Sequence, residues 1–201
     1  MTFAPLPHPV TNWEVVASQT RFENDYLVVT SEEVRTPSRP QARPWTVVHR
    51  KAAVVIAALT KDDKLLLIQQ ERIAIRAAIW EVPAGQIDQA NADEAEIAAV
   101  ARRELREETG YDLSANDRLI PLGHFFSSPG FTDEHGYFFL ARGVEPIASG
   151  RTPDESEAIL DCRAFSPAEV GWMIAKNEIR DANTLSLCAR LLAAGLLHFT
   201  S

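Results

Sequence analysis

The chain has 201 residues, 46% of them hydrophobic, enough to bury a core in one domain with at most a small appendage. Its formal net charge of −8 excludes the basic surface that nucleic acid or an anionic membrane would require. A small anionic substrate stays open, because a bound divalent cation reverses the local field. The two cysteines, Cys162 and Cys188, lie in no C-x-x-C or Cys/His cluster, so they read as buried free thiols of a reducing compartment. The first residues carry prolines rather than a basic-then-apolar run, and no apolar stretch is long enough to span a bilayer. A soluble cytoplasmic protein is expected.

Residues 1–12 read as a Pro-rich lead. Residues 13–17 and 26–35 alternate apolar and polar side chains, as strands do. Residues 36–44 hold three prolines and are expected to form a loop or hairpin tip. Three consecutive strands follow at 46–50, 52–59 and 65–70, the last two joined by a turn at 61–64, with a short strand at 79–82. Residues 93–109 form a helix that Gly110 stops. Strands at 119–126 and 137–141 flank a loop at 127–136, and another strand covers 158–165. Ser166-Pro167 starts a helix with a Ser cap and Pro at its first position, and residues 181–197 form the terminal helix. This order of strands and helices gives a mixed α/β or α+β class.

The chemistry concentrates in R-E-L-R-E-E-T-G-Y at 103–111. Glu104, Glu107 and Glu108, at i, i+3 and i+4, share one helix face, where like charges destabilise an isolated helix. Without His or Cys, such a set of oxygens suits a hard cation, Mg²⁺ or Mn²⁺. A solvated acidic face is the bland alternative.

This stretch resembles the Nudix box, G-x5-E-x7-R-E-U-x-E-E-x-G-U with U apolar. Arg103, Glu104, Leu105, Glu107, Glu108, Gly110 and Tyr111 meet every fixed position of its second half. In the first half Gly85 stands eighteen positions before Arg103 (103 − 85) rather than fourteen, so four extra residues sit within 86–96. The pattern's first Glu falls on Ala95, and the neighbouring Glu94 and Glu96 are its candidate substitutes. The departure bears on loop geometry more than on the chemistry. The resemblance implies a Nudix α/β/α sandwich with a mixed sheet over 49–201. It also implies a small N-terminal β segment over 1–48 that serves dimerisation and completes the substrate site.

Outside the box, S-S-P-G-F-T-D-E at 127–134 resembles the S-P-G-x-[ST]-x-E loop of ADP-ribose pyrophosphatases. Q-Q-E-R at 69–72 resembles their Q-x-R strand end, and E-S-E at 155–157 their late acidic loop. Alone, these stretches read as a turn, a surface charge and a solvated loop; their order behind the box points to function. The resemblance, which covers nearly all of 13–197, implies hydrolysis of ADP-ribose to AMP and ribose 5-phosphate by a homodimer. Another nucleoside diphosphate sugar such as GDP-mannose is the alternative substrate. A Nudix-fold regulator that binds without hydrolysis is the alternative of a different class. The implied metal ligands are Glu104, Glu107, Glu108 and the Ala84 carbonyl. Catalytic-base candidates are Glu155, then Glu157, then Glu134. Arg72, Phe22 and Gly130 are expected at the substrate, with Trp13 an alternative to Phe22 for stacking on the base and core packing the competing role for both aromatics. Arg103 and Gly85 orient and shape the site.

Overall fold

The structure, a computed structural model, describes residues 6–114, 117–152 and 158–199. The chain divides into two compact units. One holds the chain up to Ala53 with Gln86–Asp93 and His124–Gly136; the other holds Val54–Gly85, Glu94–Gly123 and the chain from Tyr137 onward.

The first unit is built on an antiparallel sheet, β1 (Glu14–Glu23), β2 (Leu27–Thr36) and β3 (Arg39–Arg50), in that order. Of the loop or hairpin tip expected at 36–44, the hairpin tip is what forms, but it is shorter. Thr36 pairs with Arg39, Val34 with Arg43 and Glu33 with Pro44, so the turn shrinks to Pro37 and Ser38. The prolines are tolerated because β3 is an edge strand, where a missing N–H removes no ladder bond on the open side. β1 is exposed along its whole length, including Val15, Val16 and Phe22.

The second unit carries most of an eight-stranded sheet with the order β11-β5-β4-β10-β8, where β6 pairs β5, β7 pairs β4 and β9 pairs β10. Its strands are β4 (Ala53–Thr60), β5 (Leu65–Arg72), β6 (Ala77–Glu81), β7 (Ala84–Gln86), β8 (Tyr111–Asp112), β9 (Ile120–Phe126), β10 (His135–Pro146) and β11 (Ile159–Phe165). β4 reads AVVIAALT and β5 begins LLLI; such unbroken apolar runs belong to strands buried on both faces, and residues 54–59 and 65–68 are fully buried. The helix α1 (Glu94–Thr109) packs on β5, β8 and β11 through Ile97, Ala101 and Leu105. It ends at Gly110, whose N–H closes the last turn on the Arg106 carbonyl at 2.9 Å and whose φ of +72° then carries the chain out of the helix.

The helix α2 (Pro167–Ala175) starts on a complete capping box between Ser166 and Glu169. The helix α3 (Ala182–Ala193) is capped by Asp181. The expected run to residue 197 is too long: Gly195, at φ +66°, turns the chain so that the Leu196 N–H bonds the Leu191 carbonyl. The mixed α/β class stands, with three α-helices among the described residues. Among those residues no helix is long and apolar enough to cross a membrane.

Candidate active site

Glu104 and Glu108 lie on successive turns of α1 and are 5% and 1% exposed. Burying two like-charged carboxylates one turn apart is costly unless something positive or hydrogen-bonding meets them. Three partners do. Arg103 Nη2 donates to Glu104 Oε1 at 2.5 Å, Arg103 Nη1 donates to Glu107 Oε2 at 2.6 Å, and the Ala84 N–H donates to Glu108 Oε2 at 2.8 Å. Burial opposes the Arg103 charge, but Glu104 and Glu107 outweigh it and hold the guanidinium above its usual range. Arg103 thus sits where the sequence reading puts an orienting residue.

β7 brings Ala84 and Gly85 beside this face because it pairs with β4, which also holds the residue just before it: the Ile56 N–H donates to the Pro83 carbonyl at 2.9 Å. The Thr184 hydroxyl accepts the Val82 N–H at 3.0 Å and fixes the same turn from α3. A Cβ on Gly85 would lie 2.1 Å from Glu104 Cδ and 2.4 Å from its Cγ, so only glycine fits while Glu104 keeps its place. Gly85→Ala is therefore expected to keep the fold, since its φ does not demand glycine, and to push Glu104 aside. The activity should fall about 10²-fold, the usual effect of a misplacement near 1 Å; activity and Tm measured together check this, and an active, equally stable variant would refute it.

These residues fit a hard cation. Mg²⁺ keeps several waters and takes only one or two protein carboxylates, so two buried acids beside a closely approaching backbone suffice. Among the described residues no group of three or more His, Cys, Asp or Glu side chains converges as a ready-made cage, and Glu107 is engaged by Arg103. Neither thiol competes for the role: burial pushes Cys162 and Cys188 up to about 11.

Arg72 ends β5 and is tied by two bonds to Glu81 of β6, from Nε at 2.9 Å and Nη2 at 2.6 Å. Glu81 is 3% exposed, and burial pushes its carboxyl up, with Arg72 pulling it back. Burial acts against the Arg72 charge too, but Glu81, then Asp181 and Glu108, raise it above the ordinary guanidinium value. The sequence reading missed Glu81: it sits next to the Val-Pro-Ala-Gly run, yet nothing along the chain shows that it faces Arg72. Glu94 and Glu96, the candidates for the box's first Glu, are exposed on the first turn of α1.

Glu155 and Glu157 lie outside the described residues. The described chain before them ends at Thr152, whose N–H donates to the Glu107 carbonyl at 2.9 Å. After them, the Ala158 carbonyl accepts the Glu71 N–H at 3.0 Å. Both flanks are thus held beside residues of the site.

The other expected site residues belong to the first unit. Phe22 is 53% exposed and Trp13 is exposed as well, so neither is core-packed within the chain. Gly130 stands in open space. Glu134 is engaged by Arg50 Nη1 at 2.7 Å and by the Ser127 hydroxyl at 2.6 Å.

The model of the NUDIX domain matches residues 48–188. The chain is 29% identical over 171 residues to an ADP-ribose pyrophosphatase of Bacillus subtilis (strain 168), covering 85% of this chain and 88% of that protein. It is 27% identical over 172 residues to a methanol dehydrogenase activator of Bacillus methanolicus, covering 86% and 88%. It is 32% identical over 158 residues to a GDP-mannose pyrophosphatase of Klebsiella pneumoniae, covering 74% of each. The fold matches the crystal structure of an ADP compounds hydrolase with a TM-score of 0.74 at 19% identity, over 94% of this chain and 100% of that one. With a family match across most of its length laid over the buried carboxylates of α1, the chain belongs to the NUDIX domain family.

Proposed function

We propose that this chain hydrolyses the pyrophosphate of ADP-ribose to AMP and ribose 5-phosphate in a divalent-metal-dependent reaction. The observation that carries the reading is the buried pair Glu104 and Glu108 against the Ala84–Gly85 backbone. Relatives named ADP-ribose pyrophosphatase support the substrate. Glu104, Glu108, Glu107 and the Ala84 carbonyl would hold Mg²⁺, with Mn²⁺ able to replace it. Bound there, the metal neutralises phosphate charge and lowers the pKa of the attacking water. Arg103 keeps the Glu104 and Glu107 carboxylates in place. Arg72, held rigid by Glu81, offers its remaining N–H groups to a phosphate oxygen. A carboxylate free of the metal takes the proton of the water, and Glu155 is first in line, with Glu157 second. Phe22 stacks on the base and Gly130 lets the 127–134 segment approach the substrate closely.

A second reading, another nucleoside diphosphate sugar as substrate, is supported by relatives named GDP-mannose pyrophosphatase at 30–32% identity. A panel of nucleoside diphosphate sugars with Mg²⁺, scored for released phosphomonoester, separates the readings. Fastest release from ADP-ribose supports the first, fastest release from GDP-mannose the second. No release from any member leaves a ligand-binding regulator, a class disfavoured by the intact set Glu104, Glu107 and Glu108.

The protein is proposed to be a cytoplasmic homodimer, with residues 1–48 serving the dimer and residues 49–201 forming the catalytic domain. The support is β1, whose Val15, Val16 and Phe22 stay exposed in the single chain, since a small sheet needs burial against something. Light scattering at micromolar concentration should give twice the chain mass; a monomer fully active on dilution would contradict it.

A further inference from the structure

Within the first unit, the segment 128–134 lies along the end of β3. The Val48 N–H donates to the Phe131 carbonyl at 2.8 Å, the Asp133 N–H donates to the Val48 carbonyl at 3.3 Å, and Val48 and Thr132 form a parallel bridge. Two backbone bonds make a weak attachment for a stretch containing Ser, Pro and Gly. The side chain of Asp133 adds to it. Its Oδ1 accepts the Arg50 N–H at 3.1 Å, and its Oδ2 accepts from His49 Nδ1 at 2.7 Å. The imidazole is gripped from the other side by β2, with Thr30 Oγ1 at 2.9 Å and Glu32 Oε1 at 3.5 Å from Nε2.

Hydroxyl, imidazole and carboxylate in line is also the order of a nucleophilic triad. Thr30 is only 7% exposed and its hydroxyl also donates to Glu32 at 3.0 Å, so no substrate reaches it. The geometry points instead to a latch: we propose that His49 and Asp133 are positioning residues that pin the 128–134 segment to the β2–β3 hairpin before substrate arrives. The consequence for substrate rests on the reading above, in which this segment meets the substrate. A segment ordered in advance spares the bound state the cost of ordering it, so the latch acts on KM rather than kcat.

Two isosteric changes test it. Asparagine at 49 places an amide nitrogen where Nδ1 sits and keeps the bond to Asp133. Glutamine reaches instead toward the Nε2 position and serves only Thr30 and Glu32. Hydrogen exchange of the free protein is expected to speed up about tenfold at the Val48, Arg50 and Asp133 amides in His49→Gln and Asp133→Ala, and to stay near wild type in His49→Asn. The double variant His49→Gln/Asp133→Ala should be no worse than Asp133→Ala alone, which already removes the His49 bond along with the Oδ1 bond to the Arg50 N–H. Unchanged exchange in β4 and β5 certifies that each variant is folded. For ADP-ribose, KM should rise about tenfold in His49→Gln with kcat within about twofold, and His49→Asn should restore it. Equal exchange in the Asn and Gln variants, or an unmoved KM in His49→Gln, overturns the proposal. If the wild-type protein cleaves no nucleoside diphosphate sugar, the pyrophosphatase reading fails, and the exchange pattern still decides the latch.

Discussion

Replacing Glu108 with glutamine is expected to lower turnover of ADP-ribose roughly 10³-fold, about 4 kcal/mol of transition-state stabilisation, while leaving the fold intact. The change removes one charge at constant shape. Glutamine still offers the Ala84 N–H an oxygen, so the bond between α1 and β7 survives. Relieving the repulsion between Glu104 and Glu108 favours the helix if anything. The loss therefore belongs to the metal and the charge it neutralises, not to folding. Circular dichroism and thermal unfolding should match wild type, and saturating Mg²⁺ should recover little. In parallel, a chelator should abolish wild-type activity and Mg²⁺ or Mn²⁺ restore it. Full activity in excess chelator would remove the metal assignment, and a fully active Glu108→Gln would remove this carboxylate from it.

Glu155→Gln is expected to lower kcat by about 10²–10⁴-fold, the usual cost of losing a general base, with KM and metal affinity little changed. The box glutamates are assigned to the metal, so proton transfer needs a separate carboxylate. Glu134 is the weaker candidate, because Arg50 and Ser127 already occupy its two oxygens. A carboxylate so held is not free to swing toward a water. Glu157→Gln should do less than Glu155→Gln. Single-turnover measurements at saturating Mg²⁺ distinguish a slowed chemical step from weakened binding. If both single changes and the double change leave kcat near wild type, the base lies elsewhere and Glu134→Gln is the next variant to measure.

How much of the molecule was legible without coordinates depended on whether its signal was local. The strands β4 and β5 announce themselves as unbroken apolar runs, and α1 by its spacing and its closing Gly110. Ser166-Pro167 and Asp181 marked two helix starts because a cap is a contact between near neighbours in the chain. Where local rules met tertiary context they misled. The prolines at 40 and 44 read as loop or hairpin tip, yet they lie in an edge strand, which leaves their missing N–H groups unneeded. Apolar residues at 196 and 197 read as more helix, yet Gly195 had already turned the chain.

By itself, then, the amino-acid sequence determined the family, the class of fold and the acidic face at Glu104, Glu107 and Glu108, all of which rest on spacing within one helix or one strand. Only the tertiary structure decided that Glu104 occupies the space a Gly85 Cβ would need, that Glu81 grips Arg72, and that His49 holds Asp133. These are contacts between residues from nine to more than eighty positions apart. Chain proximity carries no record of such pairs: it is burial that brings the side chains together, and charge and hydrogen bonding that then select which of them face each other.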